Sequence, residues 1–192
     1  MTKNTSSQSN DKHQILDAPR RKWKHWVMML ITASIMILAD QASKHWADNQ
    51  LRSEHNGRLT VVDGFFSLTY VRNPGAAWGL FAQAKDSFRR PFFLVASILA
   101  IAFIFYMFFR IEQNQHLMVL GLSLIMGGAI GNFIDRLRFE YVIDFLDFHV
   151  NRYKWPTFNV ADIAITVGVL LLFLDMILGS LQRKQQRETD IS

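Results

Sequence analysis

The run of residues 92–109 carries no charged residue and almost no polar one. A helix of that composition has no face to offer water, so it must be surrounded by protein or by lipid. Three more apolar runs accompany it, at residues 26–39, at about 117–134 and at about 160–181. The last is interrupted only by Asp162 near its start and by Asp175. Spans of about 18–22 residues, rising about 1.5 Å each, cross a hydrocarbon core of about 30 Å. A soluble bundle would show polar faces at helical spacing, and these runs do not. The chain therefore predicts a mainly α membrane protein with four transmembrane helices.

The rest of the composition agrees. At 192 residues the chain is one domain's worth, and only 19% of it is charged, against about 25% in soluble domains. The absence of cysteine excludes disulfides, thiolate metal sites and a cysteine nucleophile. A net charge of +5 raises nucleic acid as a partner, but no basic helix or aromatic-interleaved basic strand is present. Basic flanks of membrane spans explain the charge, and no nucleic-acid binding is expected. Residues 1–19 are polar and rich in Ser, Thr, Asn and Gln. They read as a disordered tail, taken to residue 22, ahead of an uncleaved first span. The membrane domain then covers residues 23–181, and residues 182–192 form a second tail.

Four spans put both termini on one side. Arg20, Arg21, Lys22 and Lys24 abut the first span, and Arg183, Lys184 and Arg187 follow the last. Both clusters mark a cytoplasmic face. The whole-chain count is a near tie, ten Lys and Arg on that side against eleven on the other, so the clusters beside the spans carry the argument. The long connections, roughly 45–90 and 136–159, then face the periplasm. Within the first, Leu59-Thr-Val-Val and Phe65-Phe-Ser-Leu-Thr-Tyr-Val flank Asp63-Gly64. An Asp-Gly pair between β-rich runs predicts a hairpin, hence a small periplasmic β-sheet and loop subdomain.

The polar residues of the spans gather at one end. Asp40 and Lys44 lie at the exit of the first, Asn132, Asp135 and Arg136 at the exit of the third, Asn159 and Asp162 at the entry of the fourth. With alternating directions all three ends fall on the outer side, where the loops add Asn73 and Asp144. Ionisable groups at membrane depth are costly and mark functional sites. Each group has a plainer reading as well. Asp40 and Lys44 have the spacing of a helix-end ion pair, Asn159 and Asp162 that of a helix cap. Gly127-x-x-x-Gly131 has the form of a helix-packing face, and Asp135-Arg136 that of an interfacial charge pair. Asp147 and His149 read as ordinary loop polars. Asp175, about 20 Å along the fourth span from Asp162, is expected to find a structural partner within the bundle.

No histidine lies mid-span, no Gly-x-Ser-x-Gly turn is present and no His-Glu-x-x-His occurs, so serine and zinc hydrolysis lack their parts. What remains is carboxylates among amides and arginine. Two adjacent carboxyl groups share one proton near neutral pH. The ionised member can take a proton from water while the protonated one polarises a carbonyl. Asp40, Asp135, Asp144 and Asp162 are the candidates, and residue physics alone leaves the pair open. A transporter would need polar residues along its spans, and a scaffold built on Gly127 and Gly131 would leave the acids without a role.

Five motifs carry a resemblance that narrows the choice: Asp40-Gln-Ala-Ser-Lys44, Asn73-Pro-Gly-Ala-Ala-Trp-Gly79, Gly127-Gly-Ala-Ile-Gly-Asn-Phe-Ile-Asp-Arg136, Val142-Ile-Asp-Phe145 and Phe158-Asn-Val-Ala-Asp162. In this order, over residues 24–181, the chain resembles lipoprotein signal peptidase, the bacterial signal peptidase II. Trp78 departs from the Phe more usual there. The resemblance implies Asp144 and Asp162 as the catalytic dyad of an aspartic endopeptidase. Asp40, Lys44, Asn73, Gly75, Asn132, Arg136 and Asn159 would bind substrate or support the site, with Asp135 as a structural acid. It further implies a prolipoprotein substrate carrying diacylglyceryl on its lipobox cysteine, cleavage just before that cysteine, sensitivity to globomycin, and no metal or organic cofactor. A monomer among the lipids of the bacterial inner membrane is expected, with both termini cytoplasmic, the site toward the periplasm and the loop sheet covering it.

Overall fold

The computed structural model describes residues 7–53, 55–75, 81, 84–112, 115–150 and 153–191, with side chains from Trp23 to Thr189. Four long helices carry a four-stranded antiparallel sheet at one end. The elements run α1 (Ser7–Trp46), a π-helical turn (Ala47–Leu51), β1 (Arg58–Val62), β2 (Phe66–Asn73), α2 (Asp86–Phe109), α3 (His116–Phe139), β3 (Val142–Val150), β4 (Tyr153–Lys154) and α4 (Val160–Ile191). Four stretches are long and apolar enough to cross a membrane: Trp23–Leu51, Asp86–Phe109, His116–Phe139 and Val160–Thr189. The expected spans are thus present, and each is longer than its apolar run. α1 is drawn back to Ser7 through residues whose composition reads as a disordered tail; no side chain before Trp23 belongs to the described set.

Half of the most apolar window of α3 is buried, against 11% in α2 and α4, so α3 is the central helix and the others turn most of their surface to lipid. Glycines let α3 approach its neighbours. A Cβ on Gly127 would lie 2.8 Å from the Met36 Cβ of α1, and one on Gly131 2.5 Å from Oδ2 of Asp40. Toward α4, a Cβ on Gly121 would lie 2.8 Å from the carbonyl oxygen of Gly168. The Gly127-x-x-x-Gly131 pair is therefore a packing face, and through Gly131 it is also the wall of the polar site. Met29, Ile104, Phe108, Val119, Leu122 and Met126 form the apolar core between the helices.

The Asp63-Gly64 hairpin forms as expected, with Gly64 in the left-handed region at φ 72° and β1 antiparallel to β2. The strand order is β1-β2-β3-β4. Ala47, Leu51, Ile143 and Phe145 make a second core between the sheet and the helix ends. Pro91, which directly precedes the uncharged run 92–109, lies inside α2. The helix starts at Asp86, with Pro91 in the second turn, where a missing N–H costs a single bond. Asp86 ties the start together by pairing with Arg89 at 2.5 Å and Arg90 at 3.1 Å.

Two expectations are corrected. Asp147 and His149 belong to β3 and are not loop polars. Asp147 is 1% exposed, accepts from Thr69 Oγ1 at 3.1 Å and pairs with Lys154 at 3.3 Å. A buried carboxylate of this kind holds strands together. Asp175 is half-buried on α4 and makes no hydrogen bond or ion pair with the described residues, so the partner expected within the bundle is not found among them.

The glycine contacts have a direct consequence. Gly131→Ala forces a methyl group against the Asp40 carboxylate and is expected to destabilise by about 1–3 kcal/mol, as overpacking does. Gly179→Ala, whose added Cβ meets only the end of Arg183 at 3.8 Å, is expected to be neutral or mildly stabilising. Thermal unfolding of the two variants in detergent distinguishes them.

Candidate active site

The polar residues of α1, α3 and α4 meet where these helices reach the sheet. Asp40, on α1, is fully buried. Its Oδ1 accepts the Ala161 N–H at 2.9 Å, which satisfies a donor in the first turn of α4 that has no partner inside the helix. Oδ2 pairs with Lys44 Nζ at 2.8 Å, one turn on. The ion pair predicted from spacing is present, but it is part of something larger. Lys44, 2% exposed, also pairs with Asp135 Oδ2 on α3 at 3.0 Å and donates to Asn132 Oδ1 at 2.8 Å. An ammonium has three donors and no acceptor, and all three are used. Asp135 further accepts the Ile143 N–H at 3.1 Å, fixing the start of β3 to α3. The structural role expected of Asp135 has this bond as its physical content.

Asn159 caps α4. Its Oδ1 accepts the Asp162 N–H at 3.0 Å, and Asp162 Oδ2 accepts the Asn159 N–H at 3.2 Å. This is a reciprocal capping box with Asp in the third position. The cap and the site are thus one feature, since the cap is what orients the Asp162 carboxylate. Asn159 Nδ2 donates to Asp144 Oδ1 at 2.7 Å and also lies within hydrogen-bond distance of Asn132 Oδ1 and of the Ile143 carbonyl. Asn132 Nδ2 donates to Asp162 Oδ1 at 2.9 Å.

Asp144 was expected in a loop; it sits on β3, opposite Val71 of β2. Asn73, the last residue of β2, lies diagonally across and donates from Nδ2 to Asp144 Oδ2 at 2.9 Å. The ladder between β2 and β3 shifts register between Leu68 and Val71, an irregularity of the kind that re-aims side chains beside sites. Gly75 donates its N–H to Asn73 Oδ1 at 3.1 Å. Residues 76–80, including Trp78, lie outside the described residues.

Asp144 and Asp162 are thus held on the two sides of one amide. Asp144 is 2% exposed and Asp162 half-buried. Burial, and then the charge of Asp162, push the Asp144 carboxyl up to about 7 against the opposing donors Asn73 and Asn159. Burial disfavours a charged carboxyl there, and the neighbouring acid adds to the effect. Arg136 is near enough for the charges of Asp162, Asp144 and Asp135 to act on it. Its guanidinium lies 5.3 Å from the centre of the Phe93 ring, and its Nη1 makes one long bond, 3.4 Å, to the Asn132 carbonyl. It opens onto a cavity of about 120 Å³ between the start of α2 and the end of α3, lined also by Pro74, Arg89, Arg90 and Leu94. Among the described residues no group of three or more His, Asp or Glu could hold a metal. Gln41 was missed by sequence reasoning. Its Nε2 lies within 3.0–3.2 Å of Asp135 Oδ1, the Gly131 carbonyl and Asp40 Oδ2, and the only signal was its place inside the Asp40–Lys44 motif.

Four membrane-crossing helices, a small sheet at one end of them and two carboxyl groups bonded to one asparagine define a multi-pass membrane protein with the parts of an acid–base hydrolase. The family model described as Signal peptidase (SPase) II matches residues 21–178, and the chain belongs to that family of membrane peptidases. The lipoprotein signal peptidase of Syntrophus aciditrophicus (strain SB) is 44% identical over 154 residues, covering 80% of this chain and 94% of its own. That of Geobacter metallireducens (strain ATCC 53774 / DSM 7210 / GS-15) is 43% identical over 158 residues, covering 82% and 94%. A bacterial membrane enzyme solved by the in meso method at 2.3 Å superposes with a TM-score of 0.68 at 29% identity, covering 79% of this chain and 88% of that one.

The raised carboxyl has a stability cost with a definite sign. An acid whose folded pKa exceeds its unfolded value weakens the fold progressively as pH rises from the unfolded value, about 4, to the folded one. Asp144→Asn removes that cost. Its melting temperature relative to the parent is expected to rise between pH 4 and about 7 and to level off above, in thermal unfolding across pH.

Proposed function

We propose that this chain is an aspartic endopeptidase that cleaves the signal peptide from diacylglyceryl-modified prolipoproteins just before the lipidated cysteine, with Asp144 and Asp162 as the catalytic pair. The observation that carries the reading is Asn159, whose side chain and backbone N–H bond one oxygen of each acid, at 2.7 and 3.2 Å. A pair held this close keeps one proton between its members. The ionised member takes a proton from water, whose oxygen adds to the scissile carbonyl carbon. The protonated member gives its proton to the carbonyl oxygen, forming a gem-diol. Collapse of the diol breaks the C–N bond: the proton held by the first acid passes to the leaving amine of the cysteine, and one diol O–H returns its proton to the second acid, which leaves a carboxylic acid product and restores the pair. No covalent enzyme intermediate and no cofactor is required. Arg136, which among the described residues makes one long hydrogen bond and faces the cavity beside Pro74, suits the carbonyl groups of an extended substrate.

A membrane-helical substrate with lipid tails reaches such a site sideways from the bilayer, between helix ends. The basic flanks Arg20, Arg21, Lys22 and Lys24, with Arg183, Lys184 and Arg187, support cytoplasmic termini, and the sheet and dyad then face the periplasmic side of the inner membrane. Residues 1–22 and 182–192 act as tails outside a membrane domain that works as a monomer.

Asp144→Asn and Asp162→Asn are each expected to leave a folded protein whose cleavage of a lipidated precursor falls about 10²- to 10⁴-fold, the usual worth of general acid–base groups. The assay uses purified protein with precursors before and after diacylglyceryl transfer, and only the modified precursor is expected to be cut. Parent-like cleavage by Asp162→Asn refutes the assignment.

A further inference from the structure

The two acids stand in unequal frames. Asp162 Oδ1 faces Asn132, whose amide cannot turn over. Lys44 and the Asn159 amide both donate to Asn132 Oδ1, at 2.8 and 3.2 Å, and a reversed amide would set an N–H₂ against an ammonium. Asn132 must therefore present N–H to Asp162. Asp162 Oδ2 likewise receives, among the described residues, the Asn159 backbone N–H alone, which cannot become an acceptor. Both oxygens of Asp162 thus meet fixed donors, and fixed donors favour the ionised form. At Asp144, Oδ1 meets the Asn159 amide, which is fixed by its own bonds to Asp162, Asn132 and Ile143. Oδ2 meets Asn73, whose amide, among the described residues, is held by the Gly75 N–H alone, at 3.1 Å. Turning that amide costs one bond and provides an acceptor for a proton. Asp144 is also the more buried of the two acids.

We propose that Lys44 is a positioning residue: by locking the Asn132 amide it keeps Asp162 as the ionised base and leaves the shared proton on Oδ2 of Asp144. This rests on the dyad reading above and assigns the roles within it. In the step already written, Asp162 receives the water proton and Asp144 delivers its own to the carbonyl oxygen. Asp144 from β3 and Arg136 from α3 are near enough for the charge of Asp162 to act on them, and Lys44 of α1 stands behind Asn132 with Asp40 of α1 and Asp135 of α3. Lys44 alone among these charged groups bonds the Asn132 side chain, at 2.8 Å, and it is the shorter of the two donors to that oxygen, the Asn159 amide standing at 3.2 Å.

The pH dependence of kcat tests this. In Lys44→Met the charged donor to Asn132 Oδ1 is gone and the Asn159 amide alone holds it, at 3.2 Å, so the carbonyl can turn toward Asp162, where a protonated carboxyl would meet it. The acid limb, which reports ionisation of the base, is expected to move up by about one pH unit, so activity lost at pH 6 returns in part at pH 8. KM is expected to stay within about threefold, since the substrate contacts remain. Lys44→Gln removes the charge but keeps an N–H donor, and its limb is expected to move less. An unmoved limb in Lys44→Met, or equal shifts in both variants, overturns the proposal. A merely structural role would lower activity at every pH without moving the limb.

Where Lys44→Met fails to fold, the otherwise unaltered chain with ¹³C-labelled aspartate carboxyls gives a second reading. The resonance that titrates through the neutral range is expected to be the one missing in Asp144→Asn; finding it to be the one missing in Asp162→Asn overturns the assignment. Failure of the dyad itself looks different, because Asp144→Asn and Asp162→Asn would then both cleave normally.

Discussion

The site depends on one ammonium placed between two carboxylates inside the helix bundle. Lys44 joins Asp40 on its own helix to Asp135 on α3. All three are essentially out of contact with water. A lone charge there would cost several kcal/mol, and removing one partner of such a group costs about 3–5 kcal/mol because the others are left uncompensated. The cluster is therefore all or nothing, and each element that supplies part of it is fixed relative to the rest. Asp40 reaches the first turn of α4 through Ala161, and Asp135 reaches β3 through Ile143. Three helix ends and a strand are indexed to one cation. Gly131 is the steric condition for this, since any side chain there would occupy the space of the Asp40 carboxylate.

That indexing makes a precise site possible in a bundle that otherwise turns much of its surface to lipid. α2 and α4 gain little from the hydrophobic effect against each other, because lipid is as apolar as their side chains. Packing at glycine and polar contacts has to provide the specificity. The polar cluster lies at the sheet end of the helices, and the apolar core of Met29, Phe108, Val119 and Leu122 occupies the interior toward the other end. Chemistry and cohesion are thereby separated along the axis of α3.

The spans were legible because lipid leaves so little freedom: a helix without a polar face has few other places to go. The hairpin was legible because Asp63-Gly64 supplies a positive φ between β-rich runs. The clustering of acids followed from alternation of direction alone. What stayed hidden depended on partners far along the chain. β3 reads Val-Ile-Asp-Phe-Leu-Asp-Phe-His-Val, and two acids in a short strand argue for a loop until Asn73, Asn159, Thr69 and Lys154 are brought to them. Asp147 is buried for the same reason, and nothing within ten residues of it in sequence predicts the Thr69 bond. Pro91 misleads because a proline tolerated in a second turn looks like one that begins a helix. The choice of Asp144 and Asp162 over Asp40 and Asp135 also came from family resemblance. Residue physics could not make it, since all four acids lie at the same end.

The geometry supplies a physical reason for that choice. Asp40 and Asp135 share a cation, and each also receives a backbone N–H from another element, so both are committed to holding elements together. Asp144 and Asp162 share no cation directly; they share an amide, Asn159, which orients them without neutralising either. A carboxylate bound to a buried ammonium is a poor proton carrier, because taking up a proton breaks an ion pair that nothing nearby replaces. Acids framed by amides can change charge at the cost of an amide turning over. The division of labour among the four aspartates follows from which of them the single lysine touches.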